Sequence, residues 1–233
     1  MRWIFLIVLA ILILFYIVVY VLVHNYKNKK ENKHLGTQVG GDKKISFFLN
    51  NEDKAGIEGE KCVNYYLRRL LKEDEYLLAN VLISLKNGYN TEIDSVLITR
   101  KGIFCIEVKN WVGRIKGNDD DTYWHQEYDD PRVQNKNHRN PVIQNQRHVV
   151  VLTRKLKNEF NIHNVVIFPT LEIGSIIDSN YSFTIDEFIK YYKHLDDELS
   201  ISDANKAFDT LVKYVATPRE LKRNKKEMER RFH

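Results

Sequence analysis

Two kinds of hydrophobic pattern divide the chain. Residues 3–23 are uncharged and almost entirely apolar, and as a helix this run would be roughly 30 Å long, enough to cross a bilayer. Further along, apolar positions recur with helical spacing from Ile57 to Leu71. That stripe predicts a helix beginning near Ala55. We therefore expect a membrane anchor followed by a folded domain.

Short apolar runs bounded by turn residues predict the strands that follow. Both faces of the runs before Thr99 and after Gly102 are apolar, which is typical of a central sheet covered by helices on both sides. The expected class is α/β, with an α/β/α core around a mixed sheet. The predicted strands are Tyr76–Ser84, residues 91–99 and 102–109, Gly113–Gly117, Tyr123–Tyr128 and Val165–Pro169, and the predicted later helices are Pro141 to about Phe160, Thr184–His194 and about Ser202–Val215.

Composition shifts predict the boundaries between segments. They are an anchor over 1–25, a linker over 26–53, a core over 54–170, a C-terminal helical part over 171–217 and a basic tail over 218–233. Residues 129–139 are polar and are expected to form a loop.

Charges beside the apolar run predict its orientation. Arg2 alone precedes the run, whereas four lysines follow it between Lys27 and Lys33. The positive-inside rule then places the large domain in the cytoplasm, behind a single pass through the bilayer at residues 3–23. The presence of only two cysteines, Cys62 and Cys105, fits a reducing compartment.

The formal net charge of +5 is too small to define a function, but basic residues are concentrated in the tail. Residues 218–233 contain seven Lys or Arg and three Glu. Such a run is either a solvated face or a surface that contacts phosphates, and the sequence leaves both readings open.

Candidate chemistry lies in one predicted hairpin. If Thr99 pairs with Gly102 around a turn at Arg100 and Lys101, the register places Asp94 opposite Glu107, and Glu92 opposite Lys109. Glu107 and Lys109 share a face because side chains alternate along a strand. Burying these charges is costly unless they pair or bind a metal, so an ion-pair network and a metal site are the two interpretations.

Two further residues extend the metal interpretation. Carboxylates suit Mg²⁺ or Mn²⁺, and a neighbouring lysine can stabilise charge that develops on a phosphoryl group. Glu60 in the first helix could supply a third carboxylate, or could simply interact with the positive helix end. Gln144 in the long helix could face the site, with Arg147 and His148 on the same helix face, or could lie on a solvent-exposed stripe.

Taken in order, these residues resemble the NERD family, the nuclease-related domain of the PD-(D/E)xK nuclease superfamily. The resemblance covers about Asp53 to Phe160. The pieces that carry it are Gly56-x-x-Gly59-Glu60, Glu92-Ile93-Asp94-Ser95-Val96-Leu97-Ile98, Gly102-Ile103-Phe104-Cys105-Ile106-Glu107-Val108-Lys109-Asn110, Gly113-Arg114-Ile115-Lys116-Gly117, Trp124 and Asn140-Pro141-x-x-Gln144.

The resemblance implies a restriction-endonuclease-like core and Mg²⁺-dependent cleavage of phosphodiester bonds, with DNA as the expected substrate. It also implies that Asp94, Glu107 and Glu60 bind the metal, that Lys109 is catalytic and that Gln144 is the polar helix residue facing the site. The family often has Gln-Ile-Asp-His where this chain has Glu-Ile-Asp-Ser, ending at Ser95, so one histidine is missing. The alternatives are a non-catalytic module of this fold that binds nucleic acid or a protein partner at the membrane, and, with reversed topology, a surface nuclease.

Overall fold

The computed structural model describes residues 37–40 and 51–232, all within a compact unit that begins at Gly36. The predicted anchor at residues 3–23 and most of the predicted linker lie outside the described residues. Among the helices that the structure describes, none combines the length and apolar character needed to cross a membrane.

Five α-helices and ten strands make up the described part of the chain. The helices are α1 (Asn51–Arg68), α2 (Pro141–Lys155), α3 (Ile185–His194), α4 (Ile201–Leu211) and α5 (Pro218–Phe232), with a 3₁₀ turn at Val212–Tyr214 after α4. The strands are β1 (Thr37–Val39), β2 (Tyr76–Ser84), β3 (Asn90–Thr99), β4 (Gly102–Val108), β5 (Arg114–Asn118), β6 (Tyr123–Glu127), β7 (Lys136–Arg139), β8 (Ile162–Phe168), β9 (Ile176–Asp178) and β10 (Ser182–Thr184).

The larger sheet is mixed and has six strands in the order β1-β2-β3-β4-β8-β10. Strands β2, β3 and β4 form an antiparallel meander, whereas β4 and β8 run parallel. The chain returns from β4 to β8 through β5, β6 and β7 and then through α2. These three strands and β9, which follows β8, form a second sheet in the order β7-β6-β5-β9. The expected mixed α/β class with a central mixed sheet is confirmed.

Helices cover both faces of the larger sheet. On one face, α2 and α4 bury Leu152 and Leu211 against β-strand residues such as Val96. On the other face, α1 and α3 contribute Leu67 and Phe188. Strand β4 is therefore sandwiched between two apolar layers, which explains why its residues from Gly102 to Glu107 are all buried.

The smaller sheet packs against the same domain through a third apolar cluster. Ile115 and Trp124 are fully buried there beside Phe168 at the end of β8. Trp124 also donates a hydrogen bond from its indole nitrogen to the carbonyl of Asn118, at 2.9 Å. The strands that follow the predicted hairpin are thereby fixed to the carboxyl end of β8.

Several predicted boundaries were wrong. Helix α2 ends at Lys155 rather than near Phe160, because Lys157 and Asn158 adopt left-handed backbone conformations that end the helix. Strand β8 consequently starts earlier, at Ile162.

The segment 129–139, predicted to be a loop, contains strand β7, which pairs with β6 through Asn137 and other polar residues. The sequence of β7 does not alternate between apolar and polar residues, because β7 is an edge strand and little of it is buried. The basic tail forms helix α5.

Candidate active site

The hairpin β3–β4 brings Asp94 to Glu107 in the predicted register. Thr99 pairs with Gly102, which confirms the predicted turn at Arg100 and Lys101. The last paired residues are Ser95 and Ile106. Beyond them, a carboxylate oxygen of Asp94 (Oδ2) accepts a hydrogen bond from the backbone nitrogen of Val108 at 2.8 Å. The half-buried Asp94 is therefore held against the strand that carries Glu107.

Glu107 lies at the centre of a hydrogen-bonded group of three side chains. Its Oε1 atom accepts from Lys109 Nζ at 2.6 Å and from Gln144 Nε2 at 2.7 Å. Lys109 also donates to Gln144 Oε1 at 3.2 Å. Glu107 itself is only 4% exposed. The structure therefore brings three of the predicted site residues into direct contact.

The charge state of Glu107 reflects its burial. Burial and, after it, the negative charge of Asp94 raise the pKa of Glu107 from its usual 4.5 to about 8, although Lys109 opposes the change through its charge and its hydrogen bond. Glu60 adds a smaller contribution that raises the same pKa. A second carboxylate beside a buried first one disfavours ionisation of both. Additional positive charge at this place would stabilise the ionised form.

The position of Glu60 depends on a close approach between α1 and the end of β4. A Cβ atom at Gly59 would lie 2.6 Å from Asn110 Cβ, so only glycine allows this contact without a shift. Asn110 in turn donates from Nδ2 to the carbonyl of Ala55 at 2.8 Å. Glu60, the next residue after Gly59, is thus held near enough to influence Glu107 electrostatically.

The described acidic residues do not by themselves complete a metal cage. Within residues 37–40 and 51–232, no group of three or more His, Cys, Asp or Glu side chains has an arrangement that could hold a metal ion. Asp94 and Glu107 lie near each other at the end of the hairpin, where Asp94 accepts a hydrogen bond from Val108, the residue after Glu107, and raises the pKa of Glu107. Mg²⁺ commonly binds one or two carboxylates and keeps several waters, so two carboxylates are a sufficient donor set for that ion.

Helix α2 is positioned by a cap and by a buried asparagine. Asn140 caps the helix as predicted, with its Oδ1 accepting from Val142 N at 2.8 Å, and its amide group donates to carbonyls of the β5–β6 turn. One turn later, Asn145 Nδ2 donates to the carbonyls of Cys105 and Val165. The helix is therefore bonded directly to β4 and β8, which fixes Gln144 over Glu107.

Asn145 was not assigned a role from the sequence, whereas His148 was expected to share the helix face of Gln144. Asn145 lies in the apolar stripe of α2. A polar residue in such a stripe is the sequence feature that could have identified it as a buried hydrogen-bonding group. His148 lies one turn beyond Gln144, where its Nδ1 is 3.5 Å from Glu107 Oε2 and makes no hydrogen bond among the described residues. Burial lowers the pKa of His148, so its imidazole is neutral at pH 7.

An aromatic pair borders the lysine. Lys109 Nζ lies 5.8 Å from the ring centre of Trp111, which stacks on His138 at 4.3 Å. Both the β4 extension and β7 thus contribute to the surface beside Lys109. The predicted position of Glu92 opposite Lys109 falls beyond the β3–β4 ladder, which ends at Ser95 and Ile106, and stays a prediction; on the other edge of β3, Glu92 lies opposite Leu82 of β2.

The fold and the site together define the class of this protein. It is a mixed α/β domain that carries an aspartate, a glutamate and a lysine at one end of a central hairpin. Residues 55–169 match the family model described as the nuclease-related domain, NERD. This part of the chain is therefore a NERD domain, and the match includes every predicted site residue from Glu60 to Gln144. The NERD family as a whole is placed in the PD-(D/E)xK nuclease superfamily.

One similar curated protein adds no activity. An uncharacterized protein of Bacillus anthracis is 33% identical over 94 residues, which cover 40% of this chain and 43% of that protein. The chain thus aligns with less than half of the length of this curated relative. No solved structure matches the chain.

Proposed function

We propose that this protein is a metal-dependent nuclease that hydrolyses phosphodiester bonds in nucleic acid, with DNA as the expected substrate. The observation that carries the proposal is the buried Glu107, held beside Asp94 and hydrogen-bonded to Lys109 and Gln144 inside a NERD domain. Anchoring through residues 3–23, with the domain in the cytoplasm, is part of the proposal.

The donor set fits a hard divalent cation, Mg²⁺ or Mn²⁺. Asp94 and Glu107 would hold the ion, and Glu60 would add negative charge or a ligand through water. Burial and the neighbouring charge of Asp94 raise the pKa of Glu107, so its ionised form is destabilised here, and a divalent cation would stabilise it. Such an ion, when bound, polarises a phosphoryl oxygen and lowers the pKa of a bound water.

Lys109 has the geometry of a transition-state stabiliser. Its ammonium group has three N–H donors, and two of them are directed to Glu107 Oε1 and Gln144 Oε1. With a side chain 18% exposed, Lys109 can present the third donor to a phosphate at the surface. Gln144 and Glu107 restrict the lysine to one orientation, so its charge acts on the developing negative charge without a large reorganisation.

The proposal is tested by cleavage assays on the full chain, kept in mild detergent because of its apolar N-terminal run. Labelled single- and double-stranded DNA and RNA are incubated with Mg²⁺, Mn²⁺ or EDTA. The variants Asp94→Asn and Lys109→Met are compared with Glu159→Gln and Lys206→Met, which alter a surface ion pair between α4 and the segment after α2. We expect metal-dependent cleavage that falls by about 100-fold or more in the first two variants and stays unchanged in the controls.

Cleavage that persists in both Asp94→Asn and Lys109→Met would exclude this site as the catalytic centre. Binding of nucleic acid without cleavage of any substrate would instead support the alternative, a binding module that keeps the fold. The orientation requires a separate measurement. A C-terminal reporter that is active only outside the cytoplasm would contradict the proposed topology.

A further inference from the structure

Helix α5, which the sequence showed only as a basic tail, has one face made of positive charge. We propose that this face holds the phosphate backbone of nucleic acid and directs it to the hairpin site, an inference that rests on the function proposed above. The evidence is the arrangement of charges on the helix, the way the helix is packed, and its place relative to β3.

The charges form one continuous stripe. With 3.6 residues per turn, five exposed side chains project from the same side of α5 with no acidic residue between them, and Glu227 and Glu229 lie at the borders. The stripe consists of Arg219, Lys222, Arg223, Lys226 and Arg230. It extends about 16 Å along the helix, a distance over which duplex DNA carries about nine phosphate charges. Each cation therefore has phosphates within reach.

The opposite side of α5 is used for packing. Leu221 and Asn224 are each 8% exposed, and Met228 is half-buried. At its start, Thr217 and Glu220 form reciprocal hydrogen bonds, with Thr217 N donating to Glu220 Oε2 at 2.8 Å and Glu220 N donating to Thr217 Oγ1 at 3.3 Å. The helix is thus both capped and attached to the domain, and the stripe faces away from it.

The attachment places α5 at the same end of the sheet as the candidate site. Asn224 Oδ1 accepts a hydrogen bond from Asn90 Nδ2 at 3.0 Å. Asn90 begins β3, and Asp94 follows four residues later on the same strand, a separation of about 13 Å along an extended strand. A polynucleotide lying on the stripe would therefore pass within a few nucleotides of the hairpin.

The same features favour nucleic acid over a lipid surface. Helices that bind in the plane of a membrane bury an apolar face among the lipids. Leu221 is buried and Met228 is half-buried, so the exposed side chains described between Arg219 and Arg230 are all charged. A polyanion with regularly spaced phosphates satisfies that surface without any apolar insertion.

The test measures binding of the full chain in detergent with EDTA present, so that no cleavage is needed. Fluorescence anisotropy of labelled single- and double-stranded oligonucleotides is recorded over a range of NaCl concentrations. The triple variant Lys222→Gln/Lys226→Gln/Arg230→Gln removes three charges of the stripe. The matched control Lys72→Gln/Lys190→Gln/Lys193→Gln removes three exposed charges elsewhere. Thermal unfolding monitored by circular dichroism verifies that both variants fold like the parent protein.

We expect the stripe variant to bind at least about tenfold more weakly at roughly 0.1 M salt, and its plot of log K against log salt to be shallower by about 2 to 3, because three phosphate contacts are lost. The control should keep both values. Equal affinity and slope in all three proteins would overturn the inference, as would an equal loss in the control. Intact binding through the stripe, together with absence of cleavage in Mg²⁺, would support this inference and refute the proposed function.

A second measurement distinguishes the lipid surface. The full chain is placed in nanodiscs of phosphatidylcholine with or without phosphatidylserine, and trypsin cleavage within α5 is followed by mass spectrometry. Protection by the oligonucleotide, and not by phosphatidylserine, is the expected result. Protection by phosphatidylserine, combined with unchanged oligonucleotide affinity in the stripe variant, would overturn the proposal in favour of a membrane contact.

Discussion

Replacing Glu107 by glutamine should stabilise the metal-free protein while abolishing its proposed activity. The pKa of Glu107 rises from 4.5 to about 8 on folding, chiefly through burial. A carboxyl group with a raised folded-state pKa supports stability fully below about pH 4.5 and loses that support as the pH rises through about 8. Glutamine imitates the protonated form in shape and carries no charge, so it avoids the loss.

The magnitude follows from the two pKa values. Compared with a carboxyl group whose pKa stays at 4.5 on folding, Glu107 lowers the free energy of unfolding by about 2 kcal/mol at pH 6 and about 4 kcal/mol at pH 8. For a chain of this length, about 4 kcal/mol corresponds to a rise in Tm of roughly 10 °C. Besides burial, the charged groups that modify this pKa are Asp94 on β3, Lys109 just after β4 and Glu60 on α1, and the neutral His148 of α2 lies opposite Oε2. Glutamine can retain the hydrogen bonds from Lys109 and Gln144 through its carbonyl oxygen.

The assay is thermal unfolding of the full chain at pH 6 and pH 8 in EDTA, and again with added Mg²⁺. Mg²⁺ should raise the Tm of the parent protein, because a ligand stabilises the state that binds it, and should leave the Tm of Glu107→Gln nearly unchanged. Glu127→Gln is the matched control. A hydrogen bond from Lys116 lowers the pKa of this half-buried carboxyl group, so its removal should not stabilise the protein.

A Tm for Glu107→Gln in EDTA at pH 8 that equals or falls below that of the parent would refute this reasoning. It would mean that the hairpin already balances its charges and that Glu107 is ionised at little cost. A gain in Tm that is independent of pH would also contradict it, because the mechanism requires a larger gain at pH 8 than at pH 6.

Three further predictions concern the residues that position the site. Asn145→Ala should lower the free energy of unfolding by about 2–4 kcal/mol in urea titrations, because buried carbonyls of Cys105 and Val165 lose their donor; the exposed Arg147→Ala should change it little. Gln144→Leu should reduce cleavage about tenfold with little change in stability, since it removes two hydrogen bonds that orient Lys109 and Glu107; a large loss of stability would contradict a positioning role. Gly59→Ala should lower both Tm and cleavage because its Cβ would meet Asn110, whereas Gly56→Ala, which has open space, should raise Tm slightly.

The hairpin was predictable because it depends on local rules. A two-residue turn at Arg100 and Lys101 fixes the pairing of Thr99 with Gly102, and that register then determines which residues lie side by side. The alternation of side chains places Glu107 and Lys109 on one face. The cap at Asn140 is equally local, because its side chain bonds the first turn of the helix that it precedes.

The contacts made by distant elements were not predictable in the same way. Strand β7 has a polar sequence, and only its pairing with β6 defines it as a strand. Helix α5 has few apolar residues, and its packed side is recognisable only once Asn90 of β3 is seen to bond Asn224. The boundary of α2 depends on the left-handed conformations of Lys157 and Asn158, which periodicity does not reveal.

The arrangement around Glu107 also explains why polar residues lie within an otherwise apolar layer. A buried carboxylate needs donors, and Gln144 and Lys109 supply them to Oε1, whereas Oε2 lies 3.5 Å from His148 Nδ1, which has no hydrogen-bond partner among the described residues. A structural ion pair gains stability when every polar atom is satisfied. Here Glu107 Oε2 and His148 Nδ1 make no hydrogen bond with each other. A second carboxylate, Asp94, also contributes to the raised pKa of Glu107. An unsatisfied group of this kind argues for a site that binds a cation rather than for a network that serves stability alone.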